Sequence, residues 1–167
     1  LNPNSKETFI LINNWFMMFY LITVLLGTIY PIFTDVLTGN KISIGPPFYN
    51  IVIIPVVVIF LLIMAIGPKV KWIKEKFENL KNYLLILLGS ILINFLIIFL
   101  FKGYSILSNL IIISSLFLII SSLIDAFKSF KKNRTDFARI ISHVSFGLLI
   151  MFIGLNDIFS IQFFLVI

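Results

Sequence analysis

The sequence predicts an all-α fold, a polytopic integral membrane helix bundle of about five transmembrane helices. Three observations carry this. Hydrophobic residues make up 60% of the 167 positions and charged residues 12%, whereas a soluble domain carries about a quarter charged residues. The mean hydropathy is +1.12, so the chain lacks the polar surface that water would demand. The apolar residues are also gathered into long runs, separated by short polar stretches whose positive charge falls on alternate loops.

A helix needs about 20 apolar residues to cross about 30 Å of hydrocarbon. The first such segment runs from Phe9 to Ile32, and Pro31 with the polar pair Thr34-Asp35 is expected to stop it. A polar island follows, Lys41-Ile42-Ser43-Ile44-Gly45-Pro46-Pro47-Phe48-Tyr49-Asn50. Gly45, Pro46 and Pro47 cannot continue a helix. Irregular backbone is not tolerated against lipid, so this loop belongs at a membrane surface. The second span runs from Phe48 to Ile66, with Pro55 as a tolerated kink and Gly67-Pro68 as its end. Tyr83 to Phe101 forms the third and Ile106 to Ile124 the fourth. The fifth runs from Ile140 to Leu155, where Asn156-Asp157 interrupts it. The remaining Ile158–Ile167 stretch is too short to span, and either lies at the interface or extends the fifth helix outward. Residues 1–167 form a single membrane domain without internal repeats.

Charge orients the bundle. Lys69, Lys71, Lys74, Lys76 and Lys81 lie between spans two and three, and Lys128, Lys131, Lys132, Arg134 and Arg139 between spans four and five. With Lys6 they leave only Lys41 and Lys102, of 13 basic residues, on the other side. The positive-inside rule places the basic loops in the cytoplasm or matrix and the Gly-Pro-Pro loop outside. This distribution accounts for the net charge of +6. A nucleic-acid partner would need a basic face on a soluble domain, and there is none.

The absence of cysteine excludes disulfides, thiol catalysis and cysteine metal sites. One histidine leaves no room for a multi-histidine metal site. No glycine-rich phosphate loop, Ser/His/Asp set or pair of carboxylates within a span is present, and Glu75 and Glu78 sit among lysines as a solvated face. The chain is therefore not expected to be catalytic in isolation. It starts at Leu1 rather than Met, which reads as a processed form or a fragment. The first apolar segment is too long for a cleavable signal peptide. The bias to Ile, Phe, Leu, Lys and Asn fits an AT-rich genome, of which organelles are one source.

Polar residues within the spans are the places to look for chemistry. His143 lies one turn inside the fifth span, in Ile140-Ile141-Ser142-His143-Val144-Ser145-Phe146-Gly147. An ionisable residue in a membrane helix is costly and is a functional candidate by default. It suits a haem iron ligand, a proton relay or a quinone hydrogen-bond partner; the bland alternative is a hydrogen-bonded histidine near the headgroups. Gly147, one turn on, leaves room for a flat ring or a neighbouring helix. Asp125 is placed to pair with Lys128 or Arg139. Asn13, Asn14 and Asn94 read as interhelical hydrogen-bonding groups, and Ser114, Ser115, Ser121 and Ser122 as close-packing positions on the fourth span. The triplet Asn133-Arg134-Thr135 matches a glycosylation acceptor but falls on the inner side.

Three segments in order, Lys6-Glu7-Thr8-Phe9-Ile10-Leu11-Ile12-Asn13-Asn14, Val24-Leu25-Leu26-Gly27-Thr28-Ile29-Tyr30-Pro31 and the loop Lys41 to Asn50, resemble consecutive signatures of the CcmF family. Lys6 stands where that family usually has arginine. Ser142-His143-Val144-Ser145-Phe146-Gly147-Leu148-Leu149 through Ile153-Gly154 is similar to a later family helix, with Ser145 where its glycine falls. The resemblance implies the membrane subunit of the cytochrome c-type biogenesis (system I) haem lyase. That enzyme takes haem from the haem chaperone CcmE and attaches it to apocytochrome c on the outer side. Such proteins also hold a haem b in the membrane, keeping iron reduced for the attachment. His143 corresponds to the more C-terminal of its two membrane histidine ligands, so the resemblance makes His143 a haem b axial ligand and binder of the haem iron.

The family's tryptophan-rich haem-handling segment, its flanking outer histidines, its other membrane histidine and its outer C-terminal domain have no counterpart here. Trp15 lies in a span and Trp72 in an inner loop. The resemblance thus implies one part of a CcmF divided among polypeptides, or a truncated chain. It further implies another CcmF fragment or haem lyase subunit as partner and supplier of the second haem ligand, with a mitochondrial inner membrane or a bacterial plasma membrane as location. The alternative function is a non-catalytic structural membrane subunit of a respiratory complex. A transporter fragment is less compatible, because its helix breaks belong near the midplane and the breaks here lie at the surfaces.

Overall fold

The computed structural model describes residues 6–39, 41–67, 80–101, 105–131 and 137–165. They form five helices in chain order: α1 (Lys6–Thr38), α2 (Pro46–Ile66), α3 (Leu80–Phe101), α4 (Ile106–Lys131) and α5 (Phe137–Leu165). Each contains a stretch long and apolar enough to cross a membrane. The chain is a multi-pass helical membrane protein. Lys69, Lys71, Trp72, Lys74, Glu75, Lys76, Glu78, Lys102, Lys132, Arg134 and the Asn133–Thr135 triplet lie outside the described residues.

The first helix does not stop at Pro31; it runs to Thr38. A proline removes one backbone donor, a loss that membrane helices tolerate when nearby hydroxyls engage the backbone. Here Thr34 Oγ1 donates to the carbonyls of Tyr30 at 3.1 Å and Pro31 at 2.9 Å. The stop is supplied by Gly39. Its φ of +69° is the left-handed conformation that glycine adopts freely. Its N–H donates to the Asp35 carbonyl at 3.0 Å, an αL helix cap.

The helix α2 begins two residues before the expected Phe48, on the prolines themselves. Gly45 is its extended N-cap, and Pro46 and Pro47 occupy the first turn, where a missing N–H costs nothing. The Phe48 N–H donates to the Gly45 carbonyl at 3.2 Å. Tyr49 then reaches back to α1, where its ring fills the space that a side chain at Gly27 would need. Two of the segments singled out in the sequence, Val24–Pro31 and Lys41–Asn50, therefore meet at this contact.

Asn156-Asp157 does not interrupt α5, which continues to Leu165. The polar pair is accommodated because Asp157 has a partner across the helix interface: Ser108 Oγ of α4 donates to its Oδ2. Of the two readings for the last apolar stretch, extension of the fifth helix is the one observed.

The centre of the bundle is α4. Half of its span is buried, against 11% of the α1 span. It packs on α2, α3 and α5, while α1 leans on α2 alone among its main contacts. The core joins Val57, Leu61 and Ala65 of α2 to Phe117 and Leu118 of α4. The buried face of α4 is also rich in serine: Ser108, Ser114, Ser115, Ser121 and Ser122 are all nearly inaccessible. Two of their hydroxyls are satisfied within the helix, Ser114 to Leu110 O at 2.9 Å and Ser115 to Ile112 O at 2.9 Å. A serine so satisfied is a small residue that lets the next helix come close. Ser121 reaches further, to the Ala65 carbonyl of α2 at 3.4 Å.

The α4–α5 seam shows the closest approach. A Cβ on Gly147 would lie 2.7 Å from Ile119 Cγ1, and one on Gly154 would lie 3.0 Å from Ile112 Cγ1. The neighbouring backbones are the carbonyls of Ser115 and Ser108, at 3.5 and 3.4 Å from those points. Seven residues forward on α5 match seven backward on α4, as an antiparallel pair requires. Of the two roles open for Gly147, passage of a neighbouring helix is the one occupied.

Candidate functional site

Three helices meet loosely at one end of the bundle and leave a cavity of about 390 Å³. Phe9, Ile10, Asn13 and Met17 line it from α1, Phe60, Ile63 and Met64 from α2 with its C-cap Gly67, and Arg139, His143 and Phe146 from α5. Each set follows helical spacing, so each helix turns one stripe towards the same space. The gap lies where α1 rests on α2 while α5 is held mainly by α4, so that α1 and α5 do not close on each other.

Aromatic contacts fix one wall. The Phe60 ring is almost fully buried. Its centroid lies 5.1 Å from Phe16 and 6.4 Å from Tyr20, both of α1, and 6.1 Å from Phe146 of α5. The last two are edge-on contacts, the arrangement that aromatic quadrupoles favour. Gly67 matters at the rim, where Phe9 lies 3.4 Å from the point a side chain would occupy.

His143 projects into this mainly apolar space from the second turn of α5, half-buried. Arg139, one turn nearer the helix start, lines the same cavity. An imidazole nitrogen facing an apolar chamber, with a guanidinium at its polar edge, makes a ligand or proton acceptor beside an anchor for a carboxylate. Among the described residues no three His, Asp or Glu side chains cluster as a metal centre.

The structure thus places His143 in a cavity but distributes the other polar candidates elsewhere. Asn13 is in the cavity wall, whereas Asn14 is exposed on α1. Asn94 is buried on α3, but its Oδ1 has no hydrogen-bond partner among the described residues, contrary to an interhelical role for that atom. Asp125 and Lys128 line a second cavity, between α3 and α4. In the sequence Arg139 reads as loop charge and as a pairing partner for Asp125, although its spacing of four from His143 also puts those two on one face.

A bundle of five long apolar helices, with one imidazole lining an apolar space between three of them, defines the class: a multi-pass helical membrane protein. Part of its sequence is similar to CcmF proteins. The chain is 39% identical over 88 residues to the cytochrome c-type biogenesis protein CcmF of Pseudomonas fluorescens, a match covering 52% of this chain and 13% of that protein. It is 32% identical over 100 residues to CcmF of Escherichia coli strain K12, covering 59% of this chain and 16% of the relative. The protein CycK of Bradyrhizobium diazoefficiens, also of cytochrome c-type biogenesis, is 36% identical over 70 residues, or 42% of this chain and 11% of the relative. The matched region therefore spans about an eighth of the length of these relatives. No family model matches the chain. The fold agrees with that of a solved cytochrome c heme lyase CcmF, with a TM-score of 0.69 at 24% identity, over 92% of this chain and 25% of that one.

Proposed function

We propose that this chain is a membrane subunit of a cytochrome c haem lyase, working in assembly with other chains, in which His143 provides an axial ligand to a haem b. The observation behind the ligand role is that the one histidine of the sequence lines the apolar α1–α2–α5 cavity. The residues present fit the group. His143 offers an imidazole nitrogen, Phe9, Phe60 and Phe146 offer aromatic walls, and Arg139 offers a cation at the polar edge for a propionate. Bound there, haem b would supply one-electron chemistry that keeps the iron to be attached in its reduced state. This chain's residues do the simpler work: His143 ligates, Arg139 orients, and the phenylalanines exclude water. These residues include a single histidine, and the second ligand is proposed to come from another chain of the assembly.

The names of the relatives support cytochrome c biogenesis as the process, with a haem chaperone of the CcmE type and apocytochrome c as partners of the assembled complex. A mitochondrial inner membrane is the proposed location, with a bacterial plasma membrane as the alternative that the bacterial relatives keep in view. The basic end, which carries Lys81, Lys128 and Arg139, faces the matrix or cytoplasm by the positive-inside rule. The Gly-Pro-Pro end then faces the side on which cytochrome c is assembled.

The test is to purify the assembled complex carrying His143→Ala. Loss of the haem b absorbance bands and of cytochrome c maturation, with the complex still intact, is the expected result. An unchanged spectrum would sink the ligand role.

A further inference from the structure

We propose that Asn13 of α1 is a positioning residue of the haem site: its side-chain carbonyl accepts a hydrogen bond from the ring N–H of a second axial imidazole, which another chain supplies. The inference rests on the ligand role proposed for His143 and adds a residue of this chain on the opposite wall.

Helix register puts the two residues at one depth. Along the α1–α2 pair, Phe9 stands against Gly67, Phe16 against Phe60 and Gly27 against Tyr49. Every step forward on α1 is matched by an equal step back on α2, so Asn13 comes level with Ile63. On the other flank of α2, Phe60 stands against Phe146 of α5. A route through α4 gives the same alignment. Ser121 reaches the Ala65 carbonyl, and the Gly147–Ser115 approach puts Ser121 level with Ile141. Ile63 is therefore level with His143 as well. Asn13, Ile63 and His143 all line the cavity. With α2 as the back wall, Asn13 and His143 stand on its two flanks and the open space lies between them.

Chemistry then assigns the role. Among the residues that line the cavity, Asn13 carries the one side-chain oxygen. Its amide makes no hydrogen bond among the described residues, whereas Thr23, Thr28 and Thr34 of the same helix each return a hydroxyl to the backbone. An unpaired amide within a membrane span is costly, and a bound donor would relieve that cost. The axial ligands of a six-coordinate iron lie on opposite faces. With His143 on one face, the second ligand stands on the side of Asn13. Of the side chains that ligate haem iron, histidine is the one that keeps an N–H to donate. An imidazole so held has a fixed ring orientation and a raised basicity. Asn14, the next residue, is exposed and does not line the cavity, which makes it the matched control.

The test is a redox titration of haem b in the purified assembled complex, with the low-spin EPR signals as a second readout. A more basic imidazole favours ferric iron. Asn13→Leu, which removes the acceptor, should therefore raise the midpoint potential, by about tenfold in the ferric–ferrous equilibrium or ~59 mV for one electron. Asn13→Asp, a stronger acceptor at the same reach, should lower it. Asn14→Leu should change neither the potential nor the EPR signals. A packing role would not give shifts of opposite sign at one position. Leucine is at home in a membrane helix, so the Asn13→Leu result decides even where Asn13→Asp does not assemble. An unchanged potential in Asn13→Leu overturns the proposal, as do shifts of the same sign in both variants. Haem b bands that persist in His143→Ala overturn the ligand role and this inference together. Bands lost in His143→Ala beside an unshifted Asn13→Leu overturn this inference alone.

Discussion

Two adjacent stripes of α5 are packed in opposite ways. Gly147 and Gly154 press against α4 so closely that neither has room for a methyl group without movement of an isoleucine. Arg139, His143 and Phe146, on the neighbouring part of the helix surface, face a cavity of about 390 Å³. Without a hydrophobic driving force between helices in lipid, association rests on close van der Waals packing, for which small residues are needed. The glycine stripe spends that packing on α4, and it holds the helix while the neighbouring stripe stays open. The proposed ligand role of α5 asks for a helix that is held firmly and also leaves a space. Here the two requirements are met on different stripes.

The largest effect on this contrast is the one already stated for His143→Ala, since it removes the single imidazole from the open stripe while leaving the closed one untouched. Helix content and thermal midpoint should be close to those of the unaltered complex even where haem b is lost. A large drop in both would mean that His143 acts as a packing residue.

Gly147→Leu is the next in size and attacks the closed stripe. Its Cβ alone would meet Ile119, a β-branched side chain with little rotamer freedom in a helix. Overpacking of this kind costs about 1–3 kcal/mol. Thermal unfolding of the complex in detergent should show a lowered midpoint. If α5 must be clamped to present His143, the haem b bands should weaken as well. Unchanged bands at a lowered midpoint would separate the two stripes functionally.

Ser108→Ala tests the outer end of the same seam. It takes away the hydroxyl that donates to Asp157, leaving a partly buried carboxylate with one donor fewer, at a cost of about 1 kcal/mol. Asp157→Asn, which keeps an acceptor oxygen for Ser108, should cost less. Equal losses for the two variants, measured by the same unfolding assay, would show that charge rather than the hydrogen bond matters there.

Much of this architecture was legible because bilayer thickness and hydropathy are coarse constraints: five apolar runs, five helices. Boundaries were harder. Pro31 looked like a stop because proline is a helix breaker in water, whereas the operative signal was Gly39, whose positive φ closes the helix. Asn156-Asp157 looked like a break because its partner, Ser108, is 49 positions away in sequence. His143 was visible as an ionisable residue in a span. The cavity was not, because it depends on α1 resting on α2 while α5 is held by α4, a relation that no local pattern encodes. Arg139 was recoverable from its spacing but reads first as loop charge and as a partner for Asp125. The serines of α4 were correctly read as close-packing positions, since their size and not their polarity decides their place.

Gly89 provides the smallest and cleanest comparison with Gly147. Both are glycines inside membrane helices, yet a Cβ added at Gly89 of α3 would meet nothing within 4 Å, and α3 turns much of its surface outward. Glycine in a helix interior is unfavourable by up to about 1 kcal/mol relative to alanine, through the backbone freedom it gives up. Gly89→Ala should therefore raise the unfolding midpoint slightly or leave it unchanged. For Gly147→Ala the same propensity gain is opposed by the clash with Ile119, and the midpoint should fall. Opposite signs for one substitution at two helical glycines would locate the packing constraint on the α4–α5 seam. A fall at both would mean that α3 is also closely packed, against a helix of another chain in the assembled complex.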